Sequence, residues 1–540
     1  VIVRLTARNA TTGASRDVEV SAEPDTTVAS VLEALPLPAS GRRCYVGSAL
    51  LDPDAAVADS ALVQGAVISI GAPGPDARSL SAGAVGALRV VDGHDAGLVA
   101  WLRPGRRTAA RAADADLVLR CDETSRQHAV FEVSTDGRVI VSDGGSRNGT
   151  LLDGVPLIGK AELPPGALLE VGTDRIEWVP LPATPLRTRP GGDGRLDFDR
   201  AFDAPPALSR GEVTLPASNT RQAGGRWNMA ASALLPLAMG LVLAFALKRP
   251  ILLLTCLLSP LAVVLSQLGD RRSRRAEADR GEQARASVLA DIARRVTEEE
   301  KVRRRRSPDR LELTMAAVGA NRKVWPRTAD SPDALALRLG RTDTAPSVTV
   351  RGERWADFPE PLLRAVPLTV DLRAAGVLGI AGPTEASRAL ARFLLVQLGV
   401  LRAPDDLRLV LLTSADDGDL YWASWLPHTW ADESGDFPCW VGNTATTRAE
   451  RVKELRELVA LRTAQRRGHT QARFAEDVVV LLDGALPLRE LAGMRAVLRD
   501  GPEAGVYVIA VDRHDMAECR VQCHVDDAFC VRVTGPDGER

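Results

Sequence analysis

Two apolar runs, Met229 to Leu247 and Ile251 to Leu268, constrain this chain more than any other feature. Each is close to the roughly 20 residues that an α-helix needs to cross a hydrocarbon core. Only Lys248, Arg249 and Pro250 separate them, so two spanning helices would be antiparallel neighbours and the flanking portions would share one side. Arg210, Arg221 and Arg226 precede the first run, and Arg271, Arg272, Arg274, Arg275, Arg280 and Arg285 follow the second. That bias toward the flanks predicts a two-helix transmembrane hairpin over 227–269 in the cell membrane, with the N- and C-terminal portions cytoplasmic. Trp227 sits where an interfacial anchor belongs, and Pro236 and Pro260 are tolerable in spanning helices. The competing expectation is a buried helical hairpin in a soluble core, although soluble helices rarely run so far without a charge.

The 540 residues are expected to hold three or four folded units. With 45% hydrophobic and 26% charged residues the composition excludes collagen, a disulfide scaffold and wholesale disorder. Lys plus Arg number 68 against 70 Asp plus Glu, so a general nucleic-acid binder is not expected. The seven cysteines include no Cys-x-x-Cys pair and the six histidines miss zinc-ligand spacing, so no metal is expected, even where Cys519, Cys523 and His524 lie close together. His428 in Trp-Leu-Pro-His is expected to hold a loop. Val1 to Ala7 lacks the pattern of an export signal. The Val at the start and the Gly535-Pro-Asp-Gly538 turn near the end read as the edges of a fragment.

Residues 1–71 alternate like strands at Val1 to Ala7 and Asp17 to Val20, turn helical at Thr27 to Leu35, and close on Ala66 to Gly71, which predicts a ubiquitin-like or small β module. Residues 72–86 read as a linker. Over 87–180 short β-rich runs recur between turn signals, the pattern of a sandwich. Within them lie Arg111, then Thr124-Ser-Arg-Gln-His128, then Ser142-Asp-Gly-Gly-Ser-Arg-Asn-Gly-Thr150. This order resembles the forkhead-associated (FHA) domain, whose pattern is an arginine, a Ser-x-x-His and a Ser-x-Asn-Gly on loops at one end of a β-sandwich. The resemblance implies that Arg111 and Ser125 hold a phosphothreonine phosphate, that Asn148 takes the ligand main chain, and that Arg126 and Arg147 add charge. His128 and Gly149 would be structural. A guanidinium fork and a hydroxyl suit a group carrying nearly two negative charges. Ala110 stands where the family has glycine, which is expected to displace the loop and reduce phosphopeptide affinity. The module is therefore either a phosphothreonine reader or a scaffold of the same fold.

Residues 181–226, rich in Pro, Gly and Arg, read as a flexible tether. Residues 270–310 read as a charged helical stalk whose patches at Arg271 to Arg275 and Arg303 to Arg306 either touch anionic lipid or are simply solvated. In 311–540 an apolar strand at Val377 leads through Gly382 into an amphipathic helix, where a phosphate-binding loop would sit. Against G-x-x-x-x-G-K-[ST], Gly382 fits, but Ser387, Arg388 and Ala389 replace the second glycine, the lysine and the hydroxyl residue. The later strand Val478 to Asp483 ends like a magnesium-holding strand, yet Gly484 stands where a catalytic acid would follow. The expectation is a degenerate, P-loop-like α/β ATPase domain. It serves a structural or regulatory role, or keeps a weak nucleotide site built from Arg388 and Asp483.

Together with Val324 to Gly340, Leu368 to Leu372, Gly379 to Gly382 and Trp425 to His428, this order of parts resembles the EssC/EccC motor of type VII secretion, an FtsK/SpoIIIE-type ATPase. The resemblance implies a membrane-anchoring and regulatory portion with no cofactor of its own; ATP and magnesium would serve motor domains farther along. Implied partners are the membrane, the secretion system's membrane components, small helical secreted proteins, a phosphothreonine protein and further copies of the chain. The alternatives are a DNA translocase of the same superfamily and a free-standing membrane adaptor that binds phosphothreonine.

Overall fold

The computed structural model describes the chain except for residues 40, 75–82, 183–185, 192–193, 202–210, 216–251, 320–321, 353, 356, 416–419, 431–438, 469–473, 537 and 540, and describes 252–278 by backbone only. Contacts divide it into two units, one made of 1–205, 306–341 and 367–540, the other of 206–305 and 342–366.

The first unit opens with β1 (Ile2–Asn9) and β2 (Ser15–Ser21), α1 (Val28–Ala34), β3 (Cys44–Val46), β4 (Ala49–Leu50) and β5 (Val67–Ile70). Their sheet has the order β2-β1-β5-β3-β4, with β1 and β5 parallel. Period-2 alternation along β1 buries Val3, Leu5 and Ala7, and Val3 and Leu5 pack in one core with Val28 and Val31 of α1. Thr27 caps α1 by accepting from the Ser30 N–H (3.4 Å).

The sandwich follows. Strands β6 (Gly86–Asp92), β7 (Val99–Leu102), β8 (Gly105–Ala110), β9 (Leu117–Val118), β10 (Ala129–Val133), β11 (Val139–Asp143), β12 (Thr150–Leu152), β13 (Val155–Pro156), β14 (Lys160–Glu162), β15 (Leu168–Val171) and β16 (Asp174–Pro180) divide into two sheets. One has the order β14-β11-β10-β8-β9 and the other β13-β12-β15-β16-β6-β7. Leu88, Phe131, Val141, Leu169, Ile176 and Trp178 fill the space between them.

The expected tether is ordered where it is described. β17 (Thr188–Pro190) and β18 (Leu196–Phe198) form a hairpin. The Gln64 N–H donates to the Gly194 carbonyl (2.8 Å), and Arg200 donates to the Arg327 carbonyl (2.6 Å). At these described residues, contacts with residues far away in sequence hold the chain.

In the second unit β19 (Glu212–Thr214) pairs in parallel with Thr349–Arg351. A single helix, α2 (Leu252–Arg306), runs through the predicted stalk. Its Val288, Ile292 and Val296 pack with Val213 and Val348. Arg303 is paired with Glu299 (2.8 Å) and Arg304 with Glu300 (3.8 Å), so half of the second basic patch is already neutralised within the fold. The first apolar run of the predicted hairpin lies outside the described residues, and the second falls on α2, where only the backbone is described. Among the described residues no helix is long and apolar enough to cross a membrane.

In the first unit, Asp309 caps α3 (Arg310–Ala317), whose Leu311 and Met315 pack on Ala87 and Trp101 of the sandwich. Beside them Arg89 is enclosed by Glu177 (3.0 Å), Asp309 (2.8 Å) and Glu312 (3.5 Å). Burial opposes its charge, but the three carboxylates outweigh burial and raise its pKa.

After β20 (Ala336–Thr344), β21 (Thr349–Arg351), β22 (Leu363–Asp371) and α4 (Leu372–Ala375) comes the α/β core. It comprises β23 (Val377–Ala381), α5 (Thr384–Leu401), β24 (Leu407–Thr413), β25 (Val441–Gly442), α6 (Ala445–Gly468), β26 (Asp477–Asp483), α7 (Ala485–Arg489), α8 (Met494–Asp500), β27 (Val506–Asp512), β28 (Val521–Val525), β29 (Val531–Gly535) and β30 (Gly538–Glu539). The sheet order is β25-β24-β26-β27-β23-β28-β29-β30, parallel from β25 to β28. The central strands β23, β24, β26 and β27 are nearly continuous apolar runs because both faces are covered. Leu378, Ile380, Leu409 and Leu411 pack on α5, while Val410, Leu412, Val480 and Leu482 face α6, α7 and α8. Such a sheet places its chemistry outside the carboxyl ends of the strands. Gly382 and Asp483 both stand there.

Candidate functional site

At one end of the sandwich, three loops bring together the residues singled out in the sequence. Arg111 follows β8; its N–H donates to the Ser125 carbonyl (3.0 Å) and its Nε to the Thr124 carbonyl (3.1 Å). The guanidinium lies 4.0 Å from the fully exposed Asp122 and is itself about half exposed. Ala110 sits in the regular strand, buried, with a backbone that any residue adopts, and its carbonyl accepts from the Leu119 N–H (2.9 Å). Alanine therefore fits this strand position without strain.

Ser125 is held by its neighbours. Its N–H donates to His128 Nδ1 (3.0 Å), which leaves His128 Nε2 to carry the proton and donate to the Gly149 carbonyl (3.2 Å). His128, buried to 1% exposure, thus ties the 124–128 loop to the 144–149 loop. Ser125 Oγ accepts from the Arg147 N–H (3.0 Å), which leaves the hydroxyl proton free to donate to a phosphate bound at this end. Asn148 donates through Nδ2 to the Glu123 carbonyl (3.1 Å), and its Oδ1 is left to accept from a ligand N–H. Gly149 has φ +77°, the left-handed turn that glycine makes without strain. The side chains of Arg126 and Arg147 are exposed and form no hydrogen bond or ion pair among the described residues. Arg111, Arg126 and Arg147 therefore put three arginines on the loops around one hydroxyl donor, with Asp122 and Glu123 exposed on the same loops.

Asp143 was not assigned a role by the motif. Its carboxylate accepts from the Gly145 and Ser146 N–H groups (2.8 and 2.7 Å), from Ser146 Oγ (2.6 Å) and from Thr150 Oγ1 (2.7 Å). Burial opposes ionisation, yet the hydrogen bonds from Ser146, Thr150 and Gly145 outweigh it and hold the carboxyl at about 2. This group fixes the loop that presents Arg147 and Asn148. Its signal in the sequence is Asp-Gly-Gly-Ser, an Asx-turn pattern.

The nucleotide-like site in the α/β core is differently built from the sequence expectation. Between β23 and α5 stand only Gly382 and Pro383, so Ser387, Arg388 and Ala389 lie on helix, not in a loop. Ser387 is buried and donates to the Thr384 carbonyl (3.2 Å). No loop is present to wrap phosphates, and glycine at 387 would not restore one. Gly382 has φ +147°, and a Cβ there would lie 2.1 Å from the Val525 carbonyl oxygen. Arg388 reaches across to Asp483, Nε to Oδ1 at 3.0 Å and Nη2 to Oδ2 at 3.2 Å. A two-pronged guanidinium therefore occupies the carboxylate on which a magnesium ion would depend. Gly484 has φ +81° and would thrust a Cβ to 2.1 Å from Ser414 Oγ, which disfavours an acidic residue there. These residues do not fit magnesium and ATP.

Elsewhere, His428 is buried and bonded through Nε2 to the Arg402 carbonyl (2.8 Å), and burial lowers its pKa to about 4. Burial pushes the Cys519 and Cys523 thiols up to about 12, while His524 faces Asp515 (3.5 Å). Among the described residues no group of three or more His, Cys, Asp or Glu could hold a metal ion.

The FHA domain model matches residues 103–172. A solved FHA domain from a study of phosphothreonine-dependent interactions is 26% identical over 18% of this chain and 96% of its own length, with a TM-score of 0.17. The FHA domain of a Chlamydia trachomatis protein is 27% identical over 17% of this chain and 94% of its own, with a TM-score of 0.17. Thermomonospora curvata EccC, ATPases 2 and 3 in complex with a signal sequence peptide, is 20% identical over 39% of this chain and 43% of its own, with a TM-score of 0.26. No curated protein matches the chain. Residues 103–172 are a forkhead-associated domain.

Proposed function

We propose that this chain is the membrane-anchoring and regulatory portion of a type VII secretion ATPase, and that its FHA domain reads a phosphothreonine segment of a partner protein. The observation that carries the binding role is the arrangement at the sandwich end. Arg111, Ser125 and Asn148 are each pinned by backbone hydrogen bonds, and Arg126 and Arg147 are exposed beside them. Arg111 and Ser125 take the phosphate, Asn148 the peptide main chain. The α/β core serves as a coupling scaffold that does not turn over nucleotide, since Arg388 closes the Asp483 carboxylate. The secretion assignment is supported by the order of parts in the sequence, from FHA domain through paired apolar runs to a degenerate α/β unit. A membrane hairpin at 227–269, cytoplasmic flanks, self-association and contacts with secretion components and small helical cargo belong to the same proposal.

The test is a pair of synthetic peptides, phosphorylated and unphosphorylated on one threonine, drawn from a phosphothreonine library selected on the full chain. Selective binding of the phosphorylated form, lost in Arg111→Ala and in Ser125→Ala, is expected. Equal binding of both forms would leave the domain as a scaffold.

A further inference from the structure

Two carboxyl groups of the FHA domain have opposite surroundings. Asp143 accepts from two N–H groups and two hydroxyls. Asp174, at the start of β16, is fully buried and accepts one hydrogen bond, from the Asp95 N–H to Oδ1 (2.8 Å). Its Oδ2 is buried without a hydrogen-bond partner, and among the described residues no lysine, arginine or histidine forms an ion pair with it. The charged and titratable groups around it come from four directions. Asp92, at the end of β6, is engaged by Arg175 (3.9 Å) and Arg341 (3.4 Å), and Arg175 also meets Glu170 of β15 (3.5 Å). His94 and Asp95 lie in the turn after β6. Arg120 reaches the pair through its backbone N–H, which donates to Asp95 Oδ2, and Cys121 Sγ meets Thr173 Oγ1 (3.1 Å). A buried carboxyl without a counter-charge keeps its proton more firmly than one in water. Burial, with Asp95 and Asp92, raises its pKa above the ordinary 3.8, against the Asp95 N–H and the exposed His94.

This carboxyl is tied to the loop that carries Ser125. From Asp174 the contacts run through Asp95 to the Arg120 N–H. The Thr124 N–H then donates to the Cys121 carbonyl (3.0 Å), Thr124 Oγ1 donates to the Val171 carbonyl (3.4 Å), and the Thr124 carbonyl accepts from Arg111 Nε. The neighbouring turns are close-packed. A Cβ on Gly93 would lie 2.4 Å from Asp174 Oδ1, and one on Gly172 would lie 2.8 Å from Thr124 Oγ1. Water therefore reaches Asp174 only if a turn moves. We propose that Asp174 is a proton-operated clamp beneath the binding loop: protonated, it holds the 93–95 turn and residues 120–124 in place; ionised, it draws water in and loosens them. Its consequence for phosphothreonine binding rests on the reading of that site given above, whereas the clamp itself does not. Because the folded-state pKa is raised, the group's contribution to the fold is complete below the ordinary 3.8 and is lost as pH rises through the raised value.

Amide hydrogen exchange of the purified full chain, scanned from about pH 4 to about pH 9 and referred to the intrinsic rate at each pH, tests this. Protection at 93–98 and 119–124 should fall about tenfold or more across the range, since each unit by which the pKa is raised is a factor of ten. Asp174→Asn keeps an acceptor for the Asp95 N–H and cannot ionise, so its protection should stay level within about twofold. Asp95→Asn removes a neighbouring negative charge and should move the fall to lower pH. Should Asp174→Asn unfold the domain, that shift still decides. Protection at Val139 to Val141 of β11 should not follow pH in this way. Flat protection in the unaltered chain, a fall that persists in Asp174→Asn, an unmoved fall in Asp95→Asn, or an equal fall at β11 would overturn the proposal. A threonine-phosphorylated peptide should bind less tightly as the clamp opens, by more than in Asp174→Asn, which reports the phosphate's own ionisation. Loss of protection on schedule in a chain that binds no phosphopeptide would sustain the clamp and sink the phosphothreonine reading.

Discussion

Arg388→Ala should loosen the centre of the α/β sheet, and the size of the effect follows from which partner can escape. Asp483 is 2% exposed at the end of β26, whereas the Arg388 side chain is 20% exposed on α5. Removing the guanidinium leaves a buried carboxylate with its main counter-charge gone, the situation that costs about 3–5 kcal/mol. The reverse change, Asp483→Asn, leaves a guanidinium close enough to water to be rescued, so about 1–2 kcal/mol is expected. Replacing both, as Arg388→Met with Asp483→Leu, should recover most of the loss, because well-packed apolar pairs often match buried ion pairs. The assay is amide hydrogen exchange of Val478 to Leu482, which follows opening of this strand without assuming that the whole chain unfolds in one step. A loss of about 3 kcal/mol speeds exchange by more than about a hundredfold. Unchanged exchange in Arg388→Ala, or effects of the two single changes that simply add in the double variant, would refute the pairing. Protection of the unaltered strand by magnesium and ATP would refute it equally, since a ligand of the native state adds stability.

Gly382→Ala should destabilise the core by about 2 kcal/mol or more in denaturant unfolding, because its φ of +147° and a contact of 2.1 Å with the Val525 carbonyl leave no room for a methyl group. Asp143, with a pKa of about 2 in the fold against an ordinary 3.8, contributes stability that is fully present above the ordinary value and lost as pH falls toward about 2. Asp143→Asn should therefore lower the FHA domain's melting temperature at neutral pH while flattening its decline between about pH 4 and 2. The purified chain should show no magnesium-dependent ATP hydrolysis; turnover that vanished in Asp483→Ala would contradict the scaffold reading. Reporters fused after Gly225 and after Asp270 should both report cytoplasm, and opposite signals would leave one spanning helix.

The parts of this fold that were legible in the sequence are those whose signal is local. The strands β23, β24, β26 and β27 are buried on both faces and read as unbroken apolar runs. The FHA loops announce themselves because a turn, a hydroxyl and an imidazole must recur at fixed spacing. What was not legible depends on distant partners. The Pro- and Gly-rich composition of 181–226 suggested a free tether, but Gly194 meets Gln64 and Arg200 meets Arg327, 127 positions away. Arg388 and Asp483 lie 95 positions apart, and nothing in either neighbourhood marks them as a pair. The short loop before α5 did have a signal: Pro383 immediately before the helix indicates a start at Thr384, which outweighs an alignment to a longer phosphate loop.

Whether the sandwich end reads phosphate is decided by titrating the full chain with a threonine-phosphorylated peptide and its unphosphorylated twin, by calorimetry at physiological salt. Saturable one-to-one binding of the phosphopeptide alone is expected. Arg111→Ala and Ser125→Ala should each weaken it about tenfold or more, since each removes a charged hydrogen bond of roughly 1.5–3 kcal/mol. Binding that ignores the phosphate, or that survives both substitutions, would contradict the phosphothreonine reading.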